Sequence, residues 1–270
     1  MTGKTVLITG ATSGIGLESA RAIAAQGAHV VVGARDATRG SAVVDELRAN
    51  GGSAELILVD VASLASVKRA AERFATEHPR LDVLVNNAGI IAMKRRVNAD
   101  GHELTWATNF LGLVALTRAL QGPLEAATGA RVVNVSSRAQ KGGRIAWDDL
   151  ELERGYTSWR AYAQSKLAVV LWTREFAKRY PHLAANAMHP GAIATNIWNV
   201  LPGFARALVA RILPPATKGA APVVRLATSP DVEGVSGRYF DRYKDVPPSP
   251  AALVDADGVR LWSYAENAIA

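Results

Sequence analysis

Tyr162 and Lys166 are the pair of side chains in this sequence whose types and spacing best suit proton chemistry. They lie in an apolar run, residues 161–180, whose pattern predicts a helix, and a spacing of four places both on one face. A fixed ammonium beside a phenol favours the phenolate, so we expect the pKa of Tyr162 to fall from about 10 towards neutrality. Such a phenol can take a proton from an alcohol or give one to a carbonyl oxygen. The alternative is a solvated lysine next to a half-buried packing tyrosine.

The composition is that of a globular protein with a large core. The chain has 270 residues, of which 49% are hydrophobic and 20% charged. It has no cysteine, which excludes disulfides, thiolate nucleophiles and thiolate metal sites, and no residue singled out below is a metal ligand. A strand pattern begins at Thr5 and no apolar run is long enough to span a bilayer. We therefore expect no signal peptide, no stable membrane insertion and a cytoplasmic location.

The net charge of +7 raises the question of nucleic-acid binding. The basic residues are scattered, and their tightest cluster, Lys94-Arg95-Arg96, has no interleaved aromatic residue. We therefore expect a solvated surface that attracts anionic ligands such as phosphorylated cofactors, and no nucleic-acid partner.

The N-terminal segment has the pattern of a dinucleotide site. A buried strand at residues 5–8 leads into a glycine-rich turn, a helix at 17–26 and a second strand at 28–33. Glycines let the backbone approach a pyrophosphate, and a helix N-terminus offers it N–H groups. The spacing Gly-x-x-x-Gly-x-Gly leaves open a tight turn without a ligand. The candidate cofactor contacts of this turn are Gly10, Thr12, Ser13, Gly14, Ile15 and Gly16.

Arg35, after the second strand, favours NADP(H) over NAD(H). An arginine at this position suits a ribose 2′-phosphate, whereas an acidic residue suits a free 2′-hydroxyl. Asp36 is the acidic rival, but it is also suited to cap the next helix, at 37–49. Arg39, one turn later, is a candidate for support.

The alternation of strands and helices continues along the chain. Further strands are predicted at 54–59, 81–85, 131–135 and 185–188, and further helices at 63–77, 103–126 and 251–268. This predicts a single-domain α/β fold over residues 1–270, a Rossmann-like, doubly wound parallel sheet with helices on both faces. Ligands of such sheets bind at the carboxyl ends of strands, where Asp60-Val61 and Asn86-Asn87-Ala88-Gly89 lie. Asp60 has helix capping as its alternative role.

Several motifs appear in an order that resembles one family. Asn109 interrupts an apolar helix, Ser136-Ser137 follows the fifth strand, and Pro190-Gly191 follows the sixth. With the glycine turn, Asn-Asn-Ala-Gly and Tyr162-x-x-x-Lys166, they resemble the short-chain dehydrogenase/reductase family over the whole chain. The sequences around Tyr162 and at 236–262 are similar to the retinol dehydrogenase, WW-domain oxidoreductase and protochlorophyllide reductase branch. We expect neither the N-terminal anchor of membrane-bound retinol dehydrogenases nor a WW module, and the sequence has none of the cysteines that protochlorophyllide reductases use.

The resemblance implies a role for each matching residue. Tyr162 would be the general acid/base, Lys166 would lower its pKa and bind the nicotinamide ribose, and Ser137 would hold the substrate oxygen. Ser136 would be a structural or cofactor neighbour, and Asn109 would connect Lys166 to a water chain. The implied cofactor contacts also include Asp60 and Val61 at adenine, Asn87, Ala88 and Gly89 along adenosine, Pro190 and Gly191 nearby, and Ile193 and Thr195 at the nicotinamide carboxamide.

The resemblance implies an NADP(H)-dependent interconversion of a small-molecule alcohol and a ketone or aldehyde. Three segments are expected around the substrate: 90–102, 138–160 with Trp147 and Trp159, and 192–215. Within the last, residues 196–213 have the pattern of an apolar lid, of ordinary amphipathic packing, or of a basic helix that touches a membrane. Alternative functions are an NADPH sensor or scaffold without turnover and a double-bond reductase of the protochlorophyllide type.

Oligomeric state stays open between a homodimer and a monomer. Many relatives pair through the helices that carry Asn109 and Tyr162, and the extra residues before Tyr162 could obstruct this pairing.

Overall fold

A computed structural model describes residues 1–193 and 214–270 of the chain. Its sheet has eight strands, which lie side by side in the order third, second, first, fourth, fifth, sixth, seventh and eighth along the chain. All are parallel except the eighth, which runs antiparallel to the seventh. The order reverses between the first strand and the fourth, as in a doubly wound fold. The predicted fold class is therefore confirmed.

The central strands are short, mostly buried and apolar, as expected of a parallel sheet covered on both faces, whereas the two residues of the last strand are exposed. The eight strands are β1 (Thr5–Thr9), β2 (His29–Ala34), β3 (Ser53–Leu58), β4 (Val83–Asn86), β5 (Arg131–Val135), β6 (Ala184–His189), β7 (Tyr239–Asp241) and β8 (Lys244–Asp245). The first six lie within two residues of their predicted positions. The last two were not predicted as strands.

The helices of the described residues are α1 (Gly14–Ala24), α2 (Ala37–Ala49), α3 (Leu64–Glu77), α4 (Leu104–Trp106), α5 (Gly112–Ala119), α6 (Gln121–Glu125), α7 (Ser158–Arg179), α8 (Ala216–Thr228) and α9 (Asp255–Ile269). A π-helical turn, Ala107–Leu111, joins α4 to α5. Short 3₁₀ turns occupy Arg138–Gly142, Pro230–Val232 and Pro250–Leu253. Among the described residues, no helix is long and apolar enough to cross a membrane.

Two hydrophobic cores cover the two faces of the sheet. One joins the sheet to α1, α2 and α8, and the other joins it to α3, α5, α7 and α9. Both cores are built from residues that are almost fully buried, such as Ile23 on one face and Phe74 on the other. The burial of apolar area on both faces fixes the strand ends, and therefore the loops at those ends, in one arrangement.

Side-chain caps set where two of the helices begin. Asp36 accepts a hydrogen bond from the Arg39 amide at 3.0 Å, so the predicted cap of α2 is confirmed. Ser63, not Asp60, caps α3, because its hydroxyl accepts from the Ser66 amide. The Asp60 carboxylate instead accepts from the amide of Ala62 at 3.0 Å, in the turn before the helix. The alternative reading of Asp60 as the helix cap was therefore wrong.

The predicted helix at 103–126 is not continuous. In the π-helical turn the Gly112 amide bonds to the carbonyl of Ala107, five residues back. Gly112 then packs so tightly against the strand-end residue Val61 that a Cβ built on it would lie 1.9 Å from the Val61 carbonyl oxygen. The extra residue of the π-helical turn and the missing side chain of Gly112 let the helix approach the edge of the sheet closely. Turns of this kind are frequent at functional sites.

Helix α9 lies across α5 and α7. The Trp262 ring stacks on Trp172 of α7 with centroids 5.6 Å apart. The Arg118 guanidinium of α5 lies over the same Trp262 ring at 5.5 Å and pairs with Glu266 at 2.9 Å. The C-terminal helix therefore packs on α7, the helix that carries Tyr162, and on the end of α5, the helix that follows Asn109.

Candidate active site

The glycine-rich turn is held to the neighbouring strand by hydrogen bonds across the sheet edge. The Asn87 side-chain amide donates to the Thr9 carbonyl at 2.9 Å, and the amides of Asn87 and Ala88 donate to the Thr9 hydroxyl at 3.0 and 3.1 Å. Gly10 has a φ of 65°, a conformation that favours glycine. The turn is therefore a fixed part of the β1–β4 edge.

Gly16 gives the turn its close packing. A Cβ built at Gly16 would lie 2.4 Å from the Gly10 carbonyl oxygen and 2.5 Å from the Asn87 amide nitrogen. Gly16 does not line the cavity described below, whereas Gly10, Thr12, Ser13, Gly14 and Ile15 do. Its place is behind the turn, where it allows α1 to begin directly under the cavity wall. The bare backbone and helix N-terminus fit a pyrophosphate.

Arg35 and Arg39 line the same end of the cavity. Arg39 donates to the Thr12 carbonyl at 3.2 Å, which ties α2 to the glycine turn. Within residues 1–193 and 214–270, no hydrogen bond or ion pair engages the exposed Arg35 guanidinium. Two guanidinium groups therefore border this end, and Arg35 is available to an anionic ligand.

Asp60 and Val61 line the cavity on the side of β3, and Asn87, Ala88 and Gly89 line it on the side of β4. The structure thus brings the predicted strand-end residues together along one edge. The cavity has a volume of about 640 Å³ and continues from Arg35 to Tyr162. A dinucleotide is expected to bind in one continuous cleft along the strand ends, as this cavity is.

Tyr162, Ser137 and Lys166 meet at the other end of the cavity. Tyr162 and Lys166 project from one face of α7, and the Lys166 Nζ atom lies 5.7 Å from the centre of the Tyr162 ring. The Ser137 hydroxyl acts on the Tyr162 phenol by favouring its ionised form, which acts to lower its pKa. Lys166 is almost fully buried and donates to the Val135 carbonyl at 2.9 Å. Ser136 also lines the cavity, and its hydroxyl donates to the Lys166 carbonyl at 2.7 Å.

The predicted downward shift of the Tyr162 pKa was wrong for the chain alone. Burial raises the pKa of Tyr162, because the phenolate would lose its hydration, and the Ser137 hydroxyl, which favours the phenolate, opposes this only in part. Burial also lowers the pKa of Lys166 to about 8. The ammonium and the phenol share one dry environment that disfavours both charged forms, an effect that the spacing in the sequence could not reveal.

Replacing Lys166 with methionine should change how stability depends on pH. The unfolded lysine titrates near 10.5 and the folded one near 8, so between these values the unfolded chain holds a proton that the folded chain lacks. The lowered pKa of Lys166 therefore makes the free energy of unfolding rise as the pH increases from about 8 to 10.5. Denaturant unfolding from pH 7.5 to 10 should show wild type gaining about 2 kcal/mol relative to Lys166→Met. A difference that stays flat over this range would contradict the shift.

Asn109 lies at the centre of the π-helical turn and is fully hydrogen bonded. Its side chain accepts from the Ile90 amide at 2.8 Å and donates to the Ile90 carbonyl and the Ser165 hydroxyl, both at 3.0 Å. A Cβ built on Gly89 would lie 3.3 Å from both the Asn109 Oδ1 and the Lys166 Nζ. Asn109 thus fixes the loop after β4 beside Lys166, while its predicted part in a water chain stays a prediction.

Apolar residues line the substrate end of the cavity. Trp159, which was named from the sequence, is 60% exposed, and its ring lies 6.2 Å from the Tyr162 ring. The lining residues at this end that were not named from the sequence are Ile90, Ile91, Leu104, Thr108 and Ala139. The position of Ile90 and Ile91, directly after Asn-Asn-Ala-Gly at a strand end, was a usable signal. Leu104 and Thr108 reach the cavity only through the helix packing.

The segment after β6 forms the remaining wall. His189, Pro190, Gly191 and Ile193 line the cavity, and Gly191 has a φ of 107°. Burial lowers the pKa of His189 to about 4, so its imidazole is neutral. Thr195 and nearly all of the predicted lid at 192–215, including residues 196–213, lie outside the described residues.

Comparison with known proteins places this site in a family context. The family described as short chain dehydrogenase matches residues 4–202. Retinol dehydrogenase 14 of Mus musculus is 38% identical over 286 residues, which cover 98% of this chain and 86% of that protein. A Streptomyces sp. (strain C5) protein, provisionally named daunorubicin C-13 ketoreductase DnrU, is 37% identical over 272 residues, covering 99% of this chain and 93% of that one.

Two solved structures have the same fold at more than 30% identity. A Mycobacterium paratuberculosis protein of uncharacterised function has a TM-score of 0.83 and 33% identity, covering 99% of this chain and 94% of that chain. A Beutenbergia cavernae protein has a TM-score of 0.72 and 32% identity, covering 89% and 95%, and its structure contains NADP at low occupancy.

Proposed function

Because this chain belongs to the short-chain dehydrogenase family, on its retinol dehydrogenase branch, we propose that it is an NADP(H)-dependent oxidoreductase that interconverts an alcohol and a ketone or aldehyde. Proteins of this family are oxidoreductases that bind a nicotinamide cofactor. The observation that carries the proposal is the single cavity with Arg35 at one end and Ser137, Tyr162 and the buried Lys166 together at the other.

Tyr162 and Ser137 act on the substrate oxygen in the proposed reaction. When bound, the nicotinamide cofactor supplies or accepts the hydride. In the reducing direction, Tyr162 donates its proton to the carbonyl oxygen while the Ser137 hydroxyl holds that oxygen in place. The raised pKa of Tyr162 keeps the phenol in the form that donates. Alcohol oxidation is the reverse, with the phenolate as the base.

Lys166 has two parts in this proposal. Its ammonium, 5.7 Å from the Tyr162 ring, stabilises the phenolate that forms when the proton leaves, and its Nζ–H groups hold the nicotinamide ribose. The buried Lys166 responds to nearby charge more strongly than an exposed lysine would, because few water molecules screen it. Asn109 keeps the neighbouring loop in place and is the proposed start of a path that resupplies the proton.

NADP(H) is the proposed cofactor because of the charge at the Arg35 end. The glycine turn and the α1 N-terminus would hold the pyrophosphate, and Asp60, Val61, Asn87, Ala88 and Gly89 would line the adenosine. Pro190, Gly191, Ile193 and Thr195 are the proposed nicotinamide contacts. Arg35, with Arg39 beside it, would bind a 2′-phosphate by charge-assisted hydrogen bonds.

An apolar or aromatic carbonyl compound is the proposed substrate. The wall beyond Tyr162 is formed by Ile91, Leu104, Ala139, Trp159 and Ile193, a surface that removes apolar area from water when a ligand fills it. The names of two relatives support this choice, since they refer to retinol and to a ketone of daunorubicin as the compounds on which those proteins act.

An NADPH-oxidation assay over a panel of aldehydes and ketones tests the proposed function. We expect turnover, faster with bulky apolar or aromatic carbonyls than with small charged ones, and faster with NADPH than with NADH. Tight NADPH binding with no turnover on any member of the panel would instead support the sensor alternative. A preference for small charged carbonyls would contradict the apolar substrate class alone.

We also propose that the chain is a monomer in the cytoplasm. Helix α9 packs on α7 and on the end of α5, so these helices cannot pair with those of a second copy unless α9 moves. Light scattering at about 10 μM protein should give one chain mass, and a stable dimer would contradict the proposal. The location rests on the sequence pattern and is tested by fractionation of the native cells.

A further inference from the structure

Three side chains with metal-binding atoms converge at the opposite edge of the sheet, where the strands begin. His29 starts β2, Glu55 lies in β3, and His78 directly follows α3. The Nε2 atom of His29 lies 3.6 Å from Oε1 of Glu55, and Nε2 of His78 contacts the same oxygen. One such atom from each residue lies within 4.8 Å of the other two.

The orientation of His29 leaves one ring nitrogen without a partner. Its Nδ1 atom lies 2.7 Å from the Ser53 hydroxyl, while its Nε2 atom is shielded from solvent and has no hydrogen-bond partner in the described part of the chain. A second ring nitrogen fixed by a hydrogen bond is the usual arrangement of a metal-binding histidine, because it selects the tautomer and turns the free lone pair to the ion. Here that lone pair would face Oε1 of Glu55, and two lone pairs repel each other. A cation bound between the two atoms would make the arrangement favourable.

The three residues are also held in place by their elements. His29 and Glu55 project from the same face of adjacent strands, since His29 pairs with Ser53 and Glu55 with Val31 in the β2–β3 register. The His78 ring packs on Phe74 with centroids 4.7 Å apart and on the His29 ring at 5.6 Å. Ligands on strands and at a helix end change little on binding, so the cost of ordering them is small.

We propose that His29, Glu55 and His78 bind one divalent ion of the zinc class, with water completing a tetrahedral shell. Two imidazole nitrogens and one carboxylate oxygen suit Zn²⁺, whereas Mg²⁺ and Ca²⁺ take mostly oxygen ligands. The site lies at the sheet edge away from the cavity, so the ion would clamp β2, β3 and α3 together and contribute to stability, not to turnover. In the absence of an ion, the same residues form an ordinary histidine–glutamate hydrogen-bonded pair.

Metal titration of the tag-free full-length protein, first treated with a chelator, tests the site. We expect one equivalent of Zn²⁺ per chain, and with Co²⁺ the visible absorption of a tetrahedral centre. His29→Gln and His78→Gln should each weaken Zn²⁺ binding at least about 100-fold. Ser53→Ala, which removes only the orienting hydroxyl, should weaken it roughly 10-fold. His182→Gln is the matched control, because His182 is an exposed histidine near Glu125 outside the cluster.

Thermal unfolding gives a readout that does not depend on activity. Zn²⁺ at about one hundred times its dissociation constant should raise the Tm of wild type and of His182→Gln by roughly 5–10 °C. The double variant His29→Gln/His78→Gln should show no such rise while keeping a cooperative transition without metal. If wild type and the double variant bind Zn²⁺ equally, or if wild type binds none at about 1 mM, the cluster is an ordinary ion pair and the proposal is wrong.

Discussion

Replacing Tyr162 with phenylalanine should lower the turnover number for carbonyl reduction by roughly 10²–10⁴. The change removes one oxygen atom from the wall of the cavity and with it the proton that the substrate oxygen receives. Ser137 would keep its place, because its hydroxyl accepts from the Ala139 amide. Steady-state kinetics with a saturating apolar ketone, together with NADPH binding by fluorescence, measure the effect. The dissociation constant for NADPH should change no more than about threefold.

Tyr180→Phe is the control for the loss of a phenol. Tyr180 directly follows α7, and its hydroxyl accepts a hydrogen bond from Arg118 at 2.6 Å, on the face covered by α9. This variant should keep the parent turnover. If Tyr162→Phe also reduced carbonyls at the parent rate, the proposed proton donor would be another group, and the family resemblance would have misassigned the site.

Replacing Arg35 with aspartate should reverse the cofactor preference. The aspartate would repel a 2′-phosphate and accept a hydrogen bond from a 2′-hydroxyl. Each charge-assisted hydrogen bond to a phosphate contributes about 1.5–3 kcal/mol, and two of them would be lost. The two bonds together correspond to about 3–6 kcal/mol, so the ratio of kcat/KM for NADPH to that for NADH should fall by roughly 10²–10⁴. The comparison requires both cofactors at the same ionic strength, because salt screens the exposed charge.

Lys94→Asp makes the same change in net charge away from the cavity. Lys94 is exposed in the loop after β4 and does not line the cleft. Its substitution should leave the NADPH to NADH ratio within about twofold of wild type, since a distant exposed charge is largely screened. If Arg35→Asp lowered kcat/KM equally for NADPH and NADH, Arg35 would support the fold of this edge and would not distinguish a ribose 2′-phosphate from a 2′-hydroxyl.

The first half of the sheet and its glycine turn could be predicted because their signals are local. β1, β2 and β4 are largely apolar runs, and α2 and α3 carry their caps in the sequence, Asp36 and Ser63. Because ligands of such sheets bind at the carboxyl ends of the strands, the residues that line the cofactor cleft can be predicted without knowledge of the packing. This is why the predicted residues from Gly10 to Gly89 fall along one edge, except Gly16, whose role is to permit close packing behind the turn.

The features that the sequence did not reveal depend on contacts between distant segments. Helix α8 contains Gly219 and Pro222, which argue against a helix, yet a Cβ on Gly219 would lie 2.7 Å from Ile193. The glycine is required by the packing of α8 against the cavity wall. The π-helical turn around Asn109 likewise depends on the approach of Gly112 to Val61. The raised pKa of Tyr162 is a matter of burial, which no spacing of residues encodes.

The hydrogen bonds from Asn87 and Ala88 to Thr9 couple the glycine-turn end of the cofactor site to the central strands β1 and β4. These two backbone amides donate to a buried threonine hydroxyl at the β1–β4 junction, so solvent deuterium can reach them only when that junction opens. This part of the cofactor site is therefore formed before a nucleotide binds, and it is lost when β1 and β4 separate. A nucleotide that binds there holds the two halves of the doubly wound sheet together, and slow exchange at these amides reports how firmly it does so.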